Sequence, residues 1–541
     1  MHRRRFLLRA AIGSAALVAP LPQAHAEASR AVQGRVSRTA LDVGEQVRER
    51  SADDLRRAME SGEISARALT QAYLQRIDAI DRQGPAINSV IELNPDALDI
   101  AEQRDLERRA GRIRGPLHGI PVLIKDNIDT ADRMKTTAGS LALEDARPRQ
   151  DAALVTRLRD AGAVLLGKTN LSEWANFRSD NSTSGWSGRG GLTRNPYALD
   201  RNACGSSSGS GASVAASLCA IAVGTETDGS IICPSSRNGL VGIKPTVGLV
   251  SRSGIIPISE TQDTAGPMAR TVADAAMLLG AIAGPDARDK STARARVVAD
   301  YREHLQIDGL QGRRIGVMRN FFGFDARVDA LMEEAIRAIE KAGATIVDPA
   351  NLQTRGQFGQ AEFEILLHEF KAGVNAYLAG LGPEAPVKSL ADVIAFNEAH
   401  AKEEMPYFGQ DILLKSQAKG PLTDKAYLTA RARARRLSRT EGLDRTFAVG
   451  KVDAVIAPSG GPAWLIDLVN GDYGTGGSSG PAAVSGYPSI SVPAGFVWGL
   501  PIGISFIGPA WSEGPLIGMA YAYEQRTQLR RAPEYLPTAP L

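Results

Sequence analysis

Cysteine is scarce in this 541-residue chain, which has only Cys204, Cys219 and Cys233. Three is too few and too odd a number for a disulfide framework, and their spacing matches no zinc site, so neither a disulfide-knit scaffold nor a structural metal is expected. The sequence leaves open whether any two of them pair. Histidine is equally thin: beyond residue 26 there are only His118, His304, His368 and His400. One-signed charge is also missing. The formal net charge is +3, and discounting the four arginines of the first 26 residues (Arg3, Arg4, Arg5 and Arg9) takes it to −1. That balance supplies no clustered positive field, so neither nucleic acid nor an anionic membrane is expected as a partner.

Long apolar runs are missing too, except at the start. Phe6 to Leu21, interrupted by Arg9 and small residues, falls short of the ~20 residues a spanning helix needs and ends in Ala24-His25-Ala26, a small-x-small cleavage pattern. Residues 1–26 therefore read as an export signal, and Arg3-Arg4-Arg5-Phe6-Leu7 resembles its twin-arginine form. The expectation is a protein of the periplasm or beyond, starting near Glu27, with no stable membrane association after signal removal.

The remaining composition, 43% hydrophobic and 23% charged, is that of a globular chain with ample core material. Ser51 with Asp54 three places later marks a helix start. Leu69, Tyr73, Leu74, Ile77 and Ile80 recur at helical spacing over about 52–82, and Gly84-Pro85 ends that run. Short apolar runs bounded by Gly or Pro follow at 121–124, 163–166, 220–223, 314–317, 344–347 and 454–457, with amphipathic helices such as 328–342 between them. The alternation predicts an α/β fold around a mostly parallel sheet covered by helices on both faces. A charged, helical segment over about 387–442 reads as a surface addition. Length alone suggests two domains, but no composition break supports a cut, so residues 27–541 are expected to form one.

Three short patterns are decoys. Gly162 to Thr169 has Walker A spacing, but the residues between its glycines form an apolar strand and not a flexible phosphate cradle. Gly205-Ser-Ser207-Ser-Gly209 and Gly476-Gly-Ser478-Ser-Gly480 both satisfy G-x-S-x-G, and the second has no strand before it and reads as a loop. A Ser-His-Asp triad needs a histidine. His304, His368 and His400 lie in charged helical sequence, while His118 reads equally well as a hydrogen-bonded loop residue.

A constellation carries more than any single motif. Gly205-Ser206-Ser207-Ser208-Gly209-Ser210-Gly211 leads through a small-residue stretch to Gly224-Thr-Glu-Thr-Asp228-Gly229-Ser230-Ile231, and both are preceded by Pro121-Val-Leu-Ile-Lys125-Asp126-Asn127. Two Gly-flanked serine turns separated by one helix–strand unit can face each other, with backbone N–H groups turned toward a bound oxygen. This arrangement resembles the amidase-signature family. The resemblance continues through Gly239 to Thr246, Gln262 to Arg270 and Leu500 to Gly508, so it runs from about Ser51 to the end; Cys204 departs from the glycine often found there.

The resemblance implies a large mixed sheet, mostly parallel, and an amide hydrolase without cofactor or metal. It implies Ser230 as nucleophile, Ser206 as bridging serine and Lys125 as base. It also implies an oxyanion hole from the backbone N–H groups of Thr227, Asp228, Gly229 and Ser230, and a cis peptide between Gly205 and Ser206. Lysine can act as a base only when neutral, which against an ordinary pKa of ~10.4 costs roughly 4.6 kcal/mol at pH 7, and the apolar run before Lys125 is consistent with the burial that would supply the shift. A charged lysine paired with Asp126 is the competing reading.

Gly167 to Arg178, followed by Ser184 to Ser187 and Gly190 to Tyr197, looks most like bacterial peptide amidases, which remove C-terminal amides. Peptide amides are thus the expected substrates, with aryl, aliphatic or fatty-acid amides as the alternative within the family. Trp174, Asn176, Phe177 and Ser207 are candidate substrate-pocket residues, against ordinary core packing for Trp174 and Phe177. Export argues against a component of an amidotransferase, which needs a cytoplasmic partner and tRNA. An inactive exported binding protein is the alternative of another class, and the intact Lys125, Ser206 and Ser230 argue against it.

Overall fold

The helix signal at Ser51 is used as read. In the computed structural model, which describes residues 45–540, the Ser51 hydroxyl accepts from Asp54 N and Asp54 reaches back to Ser51 N, a reciprocal cap on the helix Ala52–Ser61. A second helix, Ala66–Arg76, continues into a wider turn, Ile77–Arg82. Residues from Val47 onward pack as one unit. The export signal expected over 1–26 lies outside the described residues.

The strands are β1 (Val90–Leu93), β2 (Pro121–Lys125), β3 (Val164–Thr169), β4 (Trp186–Ser187), β5 (Gly191–Leu192), β6 (Ile221–Glu226), β7 (Val241–Lys244) and β8 (Thr264–Ala269), followed by β9 (Arg314–Val317), β10 (Thr345–Val347), β11 (Ala454–Pro458), β12 (Ser489–Val497) and β13 (Leu500–Ile507). Eleven of them form one sheet in the order β1-β3-β2-β6-β8-β7-β12-β13-β11-β9-β10, while β4 and β5 form a small hairpin. Every residue of β2, β3, β6, β7, β8, β11 and β13 is buried, as strands covered on both faces must be.

The sheet is mixed, and its parallel share is smaller than the expected majority. Parallel pairing joins β3-β2-β6 near one end and β11-β9-β10 at the other. The middle is antiparallel, through β6-β8-β7-β12-β13-β11, and so is the β1–β3 pair at the edge. The reason is local. β12 and β13 join by the two-residue turn Trp498-Gly499, where both φ angles are positive, the hairpin geometry that matches strand twist.

The segment over 387–442 is helical, with Leu390–Ala399, Asp411–Gln417 and Lys425–Arg435. Among the described residues no helix is long and apolar enough to cross a membrane.

β2 and β6 are parallel neighbours, with Ile124 beside Val223. Their carboxyl ends therefore emerge together, which places Lys125 at the end of one strand beside the turn that follows Glu226 at the end of the other. Ligand sites in open sheets favour such carboxyl ends.

Candidate active site

Lys125 has no solvent exposure. Its Nζ stands 2.7 Å from Ser206 Oγ, 2.8 Å from Thr225 Oγ1 and 3.3 Å from Thr225 O. Among the described residues no carboxylate lies within salt-bridge distance of it, so the pairing with Asp126 does not form; Asp126 instead accepts from Thr137 and faces Arg189. Burial pushes the lysine pKa down to about 7, against weaker upward pulls from Asp263 and Glu226.

Ser206 sits where the chain enters the helix Ser208–Ala215. The Gly205–Ser206 peptide is cis. Gly209 lets that helix start against the sheet, because a Cβ there would stand 2.2 Å from Ser89 O. The Ser206 carbonyl accepts from Ser172 N at 3.1 Å. Ser207 is a structural pin: its N–H donates to Ser230 O at 3.2 Å, its hydroxyl donates to Thr225 O at 3.0 Å and accepts from Thr225 N.

The turn bearing Ser230 is shaped by Glu226, a buried carboxylate whose Oε2 accepts from Ile231 N at 2.7 Å and Ile232 N at 2.9 Å. Among the described residues no protein acceptor meets the N–H groups of Thr227, Asp228, Gly229 or Ser230. Gly229 has φ +79°, which favours glycine. Thr227 Oγ1 donates to Asp263 at 2.6 Å, and Gln262 Nε2 reaches Thr227 O at 3.3 Å and Glu362 at 2.9 Å. Backbone N–H groups without a protein acceptor beside a serine are the kind of donor an oxyanion requires. Ser230 retains 8% exposure where Ser206 has none, so the site opens at Ser230.

A cavity of about 580 Å³ reaches Gly480, bounded by Phe321, Leu352, Phe358, Gly477 and Pro481. A Cβ on Gly480 would lie 3.6 Å from Asp228 Oδ2, and one on Gly229 would lie 3.1 Å from Ser479 Oγ. The cavity thus adjoins the oxyanion turn. Asp228 hydrogen-bonds Ser479 and Glu362, and burial together with Asp228 holds Glu362 well above the usual carboxylate range.

The structure joins Lys125 to Ser206 directly, and ties Ser206 to Ser230 through the neighbouring Ser207. The four pocket candidates fare differently. Trp174 and Phe177 pack into a core cluster with Leu366 and Phe370, at ring distances of 6.4 Å and 5.0 Å from Phe370. Asn176 is partly buried and accepts from Ser182 at 2.8 Å, and Ser207 is consumed by strand β6. Among the described residues no histidine hydrogen-bonds either serine: His118 Nε2 contacts Arg104 O, while His368 and His400 contact carbonyls of their own helices. Nor does any group of three or more His, Cys, Asp or Glu converge there as a metal site would require.

The sequence does not single out Thr225, Glu226, Gln262, Glu362 or the Ser479–Gly480 stretch. The last shows only as a G-x-S-x-G run without a strand, yet it lies across from the oxyanion turn. The Walker-like lysine, Lys168, is buried in β3 and donates to Ile128 O and Thr136.

A family model described as Amidase matches residues 68–517. A probable amidase of Arabidopsis thaliana is 41% identical over 514 residues, covering 93% of this chain and 95% of that protein. A putative amidase of Schizosaccharomyces pombe is 37% identical over 89% of this chain and 86% of its own. Among solved structures, a peptide amidase in complex with the competitive inhibitor chymostatin is 56% identical with a TM-score of 0.88, covering 90% of this chain and 99% of its own. The native peptide amidase of Stenotrophomonas maltophilia is 55% identical with a TM-score of 0.86, over the same shares.

Proposed function

The chain belongs to the amidase family and is an amide hydrolase, and on that premise we propose that Ser230, Ser206 and Lys125 form its catalytic relay and that C-terminal amides of peptides are its substrates. The observation that carries the relay is the 2.7 Å contact between Ser206 Oγ and a Lys125 amine whose pKa is about 7.

The three oxygens around Lys125 also accommodate the uncharged amine that the relay requires, with the Ser206 hydroxyl turned to donate. A neutral amine has two N–H donors and one lone pair. Thr225 Oγ1 and Thr225 O accept the two N–H groups, and the Ser206 hydroxyl donates to the lone pair. Ser230 then gives its proton to Ser206 as Ser206 gives its own to Lys125, and Ser230 Oγ attacks the amide carbonyl. The N–H groups of Thr227, Asp228, Gly229 and Ser230 stabilise the oxyanion, each such donor being worth ~2.7–4 kcal/mol. Collapse returns the proton along the same path to the leaving nitrogen, and water releases the acyl group from Ser230 by the same relay.

The peptide-amide reading is supported by the 55–56% identity to peptide amidases, against 37–41% for the plant and yeast relatives. The cavity beside Asp228, lined by Phe321, Leu352 and Phe358 together with Asn320, Asn351 and Arg355, offers a mixed apolar and polar seat for a peptide's acyl portion. Ammonia release from a panel of peptide, fatty and aryl amides tests it: preference for peptide amides is expected, and preference for another class overturns the substrate while leaving the relay. Labelling of Ser230 by a fluorophosphonate tests the nucleophile and separates an enzyme from an inactive binding protein.

We also propose export to the periplasm or beyond, on the basic, apolar and small-x-small order of residues 1–26. Fractionation of cells making the full chain should place it outside the cytoplasm with its amino terminus near Glu27; a cytoplasmic, full-length product overturns this.

A further inference from the structure

The reactive serines lie inside a covalent ring. A disulfide joins Cys204 to Cys233, 29 positions apart with Cα atoms 6.0 Å from each other. Ser206 lies two residues inside one end of that ring and Ser230 three residues inside the other. The chain at Ser206 is consequently held on both flanks to the segment carrying Ser230. On one flank the Ser207 N–H donates to Ser230 O; on the other, Cys204 is bonded to Cys233 at the start of the helix Ile232–Arg237. The hydrogen bonds of Cys204 itself, its N–H to Asn202 Oδ1 and its carbonyl to Ser208 Oγ, reach only residues of its own loop. Breaking the disulfide therefore removes the covalent tie between the two serine segments on the Cys204 side and leaves that flank to side-chain hydrogen bonds one residue and more away, from Asn238 Nδ2 to Ala203 O and from Asn195 Nδ2 to Asn202 O and Arg237 O.

Resting on the relay proposed above, we propose that the Cys204–Cys233 disulfide is a positioning element of catalysis, which keeps Ser206 in register with Ser230, and that its reduction lowers turnover without unfolding the protein. A proton relay through two hydroxyls tolerates little displacement, since a misplacement near 1 Å can cost on the order of 10²-fold in rate. The bond is reachable: Cys233 is partly exposed, while Cys204 retains 4% exposure. A dithiol reductant attacks the Cys233 sulfur and expels the Cys204 thiolate, which takes up a proton; the reductant's second thiol then displaces Cys233, leaving two protein thiols and one oxidised reductant. The third cysteine, Cys219, is buried and free, with its thiol pushed up to about 12 by burial, so it does not compete.

The full-length enzyme tests this in three states: as isolated, reduced with a dithiol, and re-oxidised. Thiols counted after denaturation should run from one to three and back to one. In the reduced state, well below its melting temperature, kcat on a peptide amide and the rate of fluorophosphonate labelling should both fall roughly tenfold or more, with KM and the near-UV circular dichroism little changed, and re-oxidation should restore both. The Cys204→Ser/Cys233→Ser protein should show the same loss and no response to reductant. Rates within twofold in all three states would overturn the proposal, as would loss of the near-UV signal on reduction, because the bond would then hold the fold and not the relay. No labelling in any state would instead remove the nucleophile assignment, and this proposal with it.

Discussion

Lys125 Nζ lies 2.8 Å from Thr225 Oγ1, and the same oxygen accepts from Asn127 Nδ2 at 3.0 Å. Thr225, the last residue but one of β6, thus holds the amine alongside Ser206. Replacing it with valine keeps the shape and removes that acceptor. With Thr225→Val the amine loses the partner that fixes its orientation, so kcat should fall about tenfold, the equivalent of one net hydrogen bond. Removing an acceptor for its N–H groups also disfavours the protonated form, so the acid limb of the pH profile should move downward. An unchanged profile with unchanged kcat would show that Thr225 does not orient the amine.

The acid limb itself follows from Lys125. In the proposed relay its neutral form is the base, and burial brings its pKa to about 7. Activity should therefore rise with pH to half its maximum at about 7 and stay high into mildly alkaline solution, where an enzyme dependent on an ordinary histidine would reach half its maximum near pH 6.5. Lys125→Ala should lower kcat by about 10²–10⁴-fold or more with the fold retained. A near-normal rate in that protein would remove lysine from the mechanism.

A depressed lysine pKa is also a stability statement. The group moves from an ordinary 10.5 to about 7 on folding, so between those values the unfolded chain binds the extra proton and stability rises with pH. Below about pH 7 the whole cost is present, on the order of 5 kcal/mol; above about 10.5 it vanishes. Lys125→Met, which fills the same space without the amine, should thus be more stable than the natural protein at pH 7. The gap should close by up to about 1.4 kcal/mol per pH unit on the alkaline side. Chemical denaturation of both proteins at several pH values reads this directly, and a gap independent of pH would contradict it.

Much of this is legible in the sequence, for reasons visible in particular residues. The runs at 121–124, 163–166, 220–223, 314–317, 344–347 and 454–457 are short, apolar and bounded by breakers, and each starts within one residue of an observed strand. β8 and β12 are hidden because they carry the residues that argue against central strands. Pro267 stands opposite Val223 and Pro493 opposite Gly503, and the register shifts between Pro493 and Gly495. Missing these interior antiparallel strands is what makes the sheet look more parallel than it is. At the site, Lys125, Ser206 and Ser230 are legible because each sits in a local Gly- or strand-bounded motif. Gln262, Glu362 and Ser479 are not: they reach the oxyanion turn from distant segments, so only the tertiary fold brings them there.

The fully buried Arg178 shows what joins the segment after Glu173 to the segment around Glu404. Its guanidinium lies 2.7 Å from Glu173 and 3.7 Å from Glu404, donates to the carbonyls of Glu404 and Phe408, and sits 4.1 Å over the Phe408 ring. One cation therefore faces two buried carboxylates, and the pair cannot both ionise cheaply. Glu404 is the one that yields: burial first, then the neighbouring Glu173, pushes it up to about 8. At neutral pH it is the protonated member of the pair. Glu404→Gln should consequently be nearly neutral, since the amide still accepts from Leu141 N as Glu404 does at 2.6 Å. Arg178→Met should be severe, because it leaves the Glu173 carboxylate buried without its cation, a loss of about 3–5 kcal/mol and a drop of roughly 3–4 °C in a chain of this size. Thermal denaturation of the two variants at pH 7 separates them, and equal losses would mean that Glu404 is ionised after all.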